Sequence, residues 1–354
     1  MDAKEKLNRL LSYTSEVEAS DLHISVGHHP TIRVDGKLRK IREEDQIDSE
    51  ESKLIAFELA NEGQRDRLLE EKEVDFSYHQ PGGDRFRVNI FHQRGKISCA
   101  LRRIPPYIKT LDELNLPTSL YDFARSSQGL VLVTGPASHG KSTTLAALID
   151  EIDRNQFKHI VTIEDPIEYI FKDDKALIDQ REVGQDTHSF AKALKSSFRQ
   201  DPDVIMVGEM RDPETIETAI TAAETGHLVF STLHTNSASQ TIHRIVDSFP
   251  ADQQDQIRAQ LSSSLLGVIS QRLIPRKSGG LIPACEVLKK NAAVANLIRE
   301  NKIHELDITV ETSSNDGMIS LNKYLSNLLE NNEITLEDAI SYSPRPKSLK
   351  KLID

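Results

Sequence analysis

No stretch of this 354-residue chain narrows its possible folds as far as Gly135-Pro136-Ala137-Ser138-His139-Gly140-Lys141-Ser142. The octet sits between the wholly apolar run Leu130-Val-Leu-Val-Thr134 and a helical segment from Lys141 to about Asn155. A run without a polar face is a strand covered on both sides, and such strands belong to parallel sheets wound with helices. The octet fits G-x-x-x-x-G-K-[ST] in the one context where that pattern binds phosphate, after a strand and opening a helix. There, successive backbone N–H groups and the positive end of the helix cradle a β-phosphate, with Thr143 continuing the first turn. Lys141 is expected to reach the β/γ oxygens and Ser142 to ligate Mg²⁺. The ligands predicted are therefore ATP and Mg²⁺.

A phosphate loop needs an acid at a neighbouring strand end to hold the metal and polarise water, and Asp203-Val-Ile-Met-Val-Gly-Glu209 supplies one. Glu209 is the candidate for both tasks. Thr162-Ile-Glu164-Asp165-Pro-Ile-Glu168 places further carboxylates after another apolar strand, at the edge where doubly wound sheets bind ligands; a plain polar turn is the competing reading. In Gly226-His227-Leu-Val-Phe-Ser-Thr-Leu-His234 two histidines flank a strand, both expected within reach of a γ-phosphate, although a lone histidine is more often structural.

The length predicts about two domains. Residues 1–110 read as a small α+β domain: a helix carrying Leu7, Leu10 and Leu11, a strand from Asp21, and a hairpin turning at Asp35-Gly36. One polar helical stretch from about Ser49 to Glu71 and three antiparallel strands at Val74–Tyr78, Arg85–Phe91 and Lys96–Ile104 follow. Pro105-Pro106 and the aperiodic stretch to Pro117 resist helix, which puts a linker at 111–118 and the second domain at 119–354. In that domain strands at His159–Ile163, Val204–Val207 and Leu228–Thr232 alternate with helices at Ser189–Arg199 and Pro213–Thr225. The final stretch reads as mainly helical, with Ala292–Glu300 and Leu321–Glu330 the clearest segments.

Charge and composition exclude other classes. A net charge of −11 opposes a surface built to neutralise nucleic-acid phosphates, and the absence of Trp removes the best stacking platform for single strands. No nucleic-acid partner is expected. Two distant cysteines, Cys99 and Cys285, indicate neither a disulfide framework nor a zinc site. No apolar run approaches a membrane span, and the charged start MDAKEKLNRLL lacks a signal core, so a cytoplasmic location is expected.

The four blocks in their order resemble the Walker A, Asp box, Walker B and His box of the secretion ATPase superfamily. Asp21–Gly27, Arg33–Gly36, Arg85–Asn89 and Arg102–Pro105 are similar to the N-terminal domain of its PilT-like branch, the type IV pilus retraction ATPases that power twitching motility. The resemblance implies an α/β fold: a RecA-like P-loop ATPase core preceded by a smaller α+β PAS-like domain, assembled as a homohexamer. It also implies an inner-membrane pilus platform protein as partner and a peripheral position at the pilus base. By resemblance Glu209 is the Walker B carboxylate and binds Mg²⁺ with Ser142. Glu168 and Glu164 belong to the Asp box, with Glu168 matching the acid important for turnover, and His227 and His234 form the His box pair. Arg85, Arg87 and Arg102 match arginines that reach nucleotide at a domain or subunit interface; read as residues alone, each is a strand cation in a surface ion pair.

Two departures stand out. The family loop reads GPTGSGKST, so Ala137, Ser138 and His139 replace Thr, Gly and Ser; if the middle position needs positive φ, Ser138 stores strain. The retraction motif AIRNLIRE appears here with Ala295 in place of its first Arg. Three readings therefore stay open: the main retraction motor, an accessory retraction or related secretion ATPase, and an ATP-binding subunit whose altered loop turns over weakly.

Overall fold

A computed structural model describes residues 3–34, 36–104 and 107–353. Asp35, half of the expected hairpin turn, and Pro105-Pro106 of the expected linker lie outside the described residues. The chain divides into two compact units: Met1–Tyr107 with Asp165–Ile170, and Ile108–Glu164 with Phe171–Asp354. Residues 111–118, expected to link the domains, belong to the second unit, where Leu111 and Leu116 are buried.

The first unit runs α1 (Ala3–Glu16), β1 (Asp21–Ile24), β2 (Thr31–Val34), β3 (Lys37–Lys40), α2 (Ser49–Leu59), α3 (Glu62–Glu71), β4 (Glu73–His79), β5 (Arg85–Gln93) and β6 (Lys96–Ile104). Its strands form one antiparallel sheet in the order β3-β2-β1-β6-β5-β4. The period-2 alternation of β5 turns Phe86, Val88 and Ile90 into a core that also buries Leu7, Leu10 and Leu11 of α1. The single polar helix expected between Ser49 and Glu71 is two helices. Asn61 starts the second with a capping box, its side chain accepting from Gln64 N–H while the Gln64 side chain accepts from Asn61 N–H.

The second unit runs α4 (Leu120–Ala124), β7 (Gly129–Thr134), α5 (Lys141–Asn155), β8 (His159–Glu164), β9 (Leu177–Glu182), α6 (Phe190–Ser197), β10 (Val204–Val207), α7 (Pro213–Glu224) and β11 (Leu228–Leu233). It continues through α8 (Ala238–Val246), α9 (Gln254–Ser264), β12 (Leu265–Pro275), β13 (Leu281–Lys289), α10 (Ala292–Arg299), α11 (Leu306–Thr312), α12 (Leu321–Glu330), α13 (Leu336–Tyr342) and α14 (Pro346–Ile353). Seven strands lie in the order β13-β12-β7-β11-β10-β8-β9, parallel throughout except for β13 against β12. The apolar runs behave as their lack of a polar face requires, with every residue of β7, β10 and β11 buried. Helices α10 and α12 fall on the segments expected, and α10 carries Ala295 without breaking. Strands β9, β12 and β13 were not anticipated. The neighbours β7, β11, β10 and β8 all point the same way, so the four loops that follow them share one edge.

Candidate functional site

That shared edge is where most of the singled-out residues meet. Beyond β7 the phosphate loop turns through three positive φ angles, Gly135 (+144°), Ser138 (+63°) and Gly140 (+79°), before α5 begins. Gly135 is required by close approach, because a Cβ there would be driven into the Gln271 carbonyl oxygen of β12. Gly140 is the N-cap of α5 and brings no side chain to cap it, which keeps the first turn at Lys141, Ser142 and Thr143 open to an anion. The buried Lys141 donates to the Gly135 carbonyl at 3.0 Å and to the Pro136 carbonyl at 2.8 Å, curling its ammonium over the loop. Pro136 and Ala137 complete the turn between Gly135 and Ser138.

His234, the residue after β11, stands between this cation and the acid at the end of β10. Lys141 Nζ is 3.4 Å from His234 Nδ1, and His234 Nε2 is 3.7 Å from Glu209 Oε2. An ammonium only donates, so Nδ1 accepts and the ring proton sits on Nε2, directed at the carboxylate. Burial holds the His234 pKa below its ordinary value, Lys141 pushes the same way, and Glu209 opposes them. Glu209 also pairs with Arg211, Nε to Oε2 at 2.7 Å. Glu164 closes the row at the end of β8, buried and accepting from the Thr162 hydroxyl at 2.7 Å and Gln180 Nε2 at 3.2 Å.

Four expected residues, Glu168, Arg85, Arg87 and Arg102, belong to the first unit, and within the second unit His227 stands apart from the row. It precedes β11 at the amino end of the strand, where its carbonyl accepts from Gly129 N–H. Its ring bonds the Ala222 carbonyl at 3.0 Å and meets Phe198 with centroids 5.7 Å apart. A strand rises about 3.3 Å per residue, so the seven positions from His227 to His234 put the two rings at opposite ends of the sheet. Glu168 belongs with Asp165–Ile170 to the first unit, where Arg87 Nη1 lies 3.6 Å from its Oε1. In the same unit Arg85 Nη2 donates to Ser77 Oγ at 2.6 Å and Arg102 Nε to Asp21 Oδ1 at 2.9 Å. The three arginines thus have carboxylate or hydroxyl partners inside their own unit.

Sequence reasoning missed Gln271. Its side chain accepts from Thr144 Oγ1 at 2.7 Å and donates to the His139 carbonyl at 2.8 Å, making β12 the floor of the loop. Between Ser270 and Arg272 the amide carries no distinguishing pattern in the sequence; only its burial in the folded strand shows that it must find partners.

Ser142 and Glu209 offer a hydroxyl and a carboxylate, the hard oxygen donors that Mg²⁺ takes alongside phosphate and water. A loop of donors, an ammonium, a neutral imidazole and two carboxylates on one edge can bind a polyphosphate and activate water against it.

The model of the family described as type II/IV secretion system protein matches residues 3–316. The chain is 44% identical over 342 residues to the type IV pilus retraction ATPase PilT of Pseudomonas aeruginosa, covering 97% of this chain and 99% of that protein. It is 47% identical over 311 residues to a twitching motility protein of Neisseria gonorrhoeae, covering 88% and 83%. Among solved structures, the pilus retraction motor PilT with bound ADP superposes with a TM-score of 0.90 at 47% identity, covering 97% of this chain and 98% of that one.

Proposed function

Because this chain belongs to the type II/IV secretion system protein family, we propose that it is an ATPase motor that drives retraction of a type IV pilus. The observation that carries the reading is the single row Lys141, His234, Glu209 and Glu164 along adjacent strand ends beside an open helix N-terminus. The near full-length likeness to retraction ATPases supplies the pilus as the object of the work.

In this reading the loop N–H groups, Lys141 and the first turn of α5 hold the β- and γ-phosphates of ATP. Glu209 orients a water for in-line attack on the γ-phosphorus and takes its proton, while the bond to the bridging oxygen breaks and ADP leaves. His234 turns its Nε2–H toward Glu209 and fixes that carboxylate. Mg²⁺, held by Ser142 and Glu209, would neutralise charge across the phosphates. Ring assembly to six copies, a membrane platform partner and a place at the pilus base belong to the same proposal. So does the role of Arg85, Arg87 and Arg102 toward the nucleotide of a neighbouring copy.

The test pairs turnover with retraction. Purified protein should hydrolyse ATP, and chains carrying Lys141→Ala or Glu209→Gln should neither turn over nor restore retraction to cells lacking the native motor. Full retraction by the Glu209→Gln chain would end the reading. Binding of ATP by the native chain without turnover in the assembled state would favour the weakly hydrolysing subunit.

A further inference from the structure

His139, which stands where the family loop has serine, is bound at two points to β12. Its Nδ1 accepts from Leu273 N–H at 2.8 Å, and its carbonyl accepts from Gln271 Nε2 at 2.8 Å. The first bond has a physical cause. The pairing of β7 with β12 ends at Thr134 opposite Ser270, so beyond that point β12 runs on with no strand on this side. A ladder N–H left there needs an acceptor, and the His139 ring provides it. Gln271 anchors the same stretch further along through Thr144, and the close approach of Gly135 to its carbonyl fixes the other end.

We propose that His139 is a positioning residue for nucleotide binding, its unprotonated Nδ1 tying the phosphate loop to Leu273 of β12 and holding it in the binding shape. The inference rests on the nucleotide-binding reading above and adds a regulatory property to that site. Protonated Nδ1 would face the Leu273 N–H as donor against donor, so the tie exists only with the neutral ring. The charged groups acting on the ring are Arg272 from β12 and Lys141 from α5; both cations, together with burial, favour the neutral form and hold its pKa below the usual histidine value. The tie is therefore complete above the ordinary histidine value of about 6.5 and is lost as the pH falls through the ring's own, lower value. Acid weakens nucleotide binding.

The experiment measures the affinity of the full-length protein for a fluorescent ADP analogue from pH 8 down to the lowest pH at which the protein stays folded, in the native chain, His139→Asn and His139→Leu. Asparagine places Oδ1 where Nδ1 was and does not titrate, so its affinity should stay within about twofold of native at pH 7.5. Leucine leaves the Leu273 N–H without that acceptor, and its Kd should rise about tenfold at the same pH. On acidification the native Kd should climb relative to that of His139→Asn, the direction one-proton linkage sets for a ring that holds the tie only when neutral. Titrations elsewhere in the site, His234 included, are common to all three proteins and cancel in the comparison. Parallel pH profiles of native and His139→Asn would overturn the proposal while leaving nucleotide binding intact, and so would equal affinities of the Asn and Leu variants. Absence of ADP binding by the native chain would overturn the underlying reading as well. If His139→Leu fails to fold, the native and Asn profiles still decide.

Discussion

Ser138 carries a Cβ into a backbone conformation, φ +63°, that side chains adopt at a cost of roughly 1–2 kcal/mol. Glycine, the family residue, avoids that cost but loses about 0.5–1 kcal/mol more chain entropy on folding. Ser138→Gly should therefore stabilise by up to about 1 kcal/mol, raising the melting temperature of the second unit by roughly 2–4 °C. Calorimetry checks this, and a fall would show that the Ser138 side chain contributes more than its strain costs. Glu209 and Lys141 divide the chemistry differently. Glu209→Gln keeps the shape beside His234 but removes the proposed base, so turnover should drop by about 10²–10⁴ with ADP affinity nearly unchanged. Lys141→Ala removes the ammonium over the loop and should weaken binding itself. Equal loss of affinity in both variants, read by titration calorimetry, would contradict that division of labour.

Between elements, the loop after His234 is steadied by an acid from another strand. Glu286 of β13 accepts from Ala238 N–H at 2.8 Å, at the first turn of α8, whose N-cap is Ser237. Burial pushes its carboxyl up to about 7; Ala238 N–H and Arg345 work against that, and Asp307 and Glu311 reinforce it. A carboxyl raised in the folded state favours the protonated form, so stability is fullest below the unfolded value near 4.5 and falls as pH rises to about 7. Glu286→Gln keeps an acceptor for Ala238 and cannot ionise. Above pH 7 it should exceed the native chain in stability, by at most about 3 kcal/mol, with the two converging near pH 5. Urea unfolding at both pH values checks this, and a constant gap would rule the ionisation out.

The same elements show what could be read from the sequence. The positions of Lys141, Ser142 and Glu209 at one sheet edge were legible because covalent spacing alone ties them to the ends of apolar strands. His227 was misplaced by treating proximity in sequence as proximity in space, although an extended strand between two residues separates them. Gln271 reaches a loop 132 positions away, and this needs β12 to lie beside β7, which no local pattern encodes. Strand β12 itself, with Gly267 and Gln271 interrupting its apolar residues, lacks both a clean alternation and an unbroken run. The grouping of Asp165–Ile170 with the first unit is likewise a long-range fact, and it assigns Glu168 to a different unit from Glu164.

For the whole molecule, the proposed ring assigns each ATP site a phosphate loop from one copy and arginines from the next, and this division is measurable by mixing. A Lys141→Ala chain has a defective loop and intact arginines; an Arg102→Ala chain has the reverse. Inside its own unit Arg102 pairs with Asp21 while remaining largely exposed, so its removal should cost little folding stability. Each variant alone should be inactive as a ring. In an equal mixture, about a quarter of the interfaces join an intact loop to an intact arginine, so turnover should return to about that fraction of native. The recovery should grow with total protein concentration, because it depends on assembly. Steady-state ATPase assays across a mixing series, with light scattering to count the copies, read both effects. Activity in the mixture equal to the mean of the two separate variants would mean that each chain builds its site alone, and an Arg102→Ala chain that turns over at the native rate would make Arg102 a structural partner of Asp21 rather than a contributor to hydrolysis.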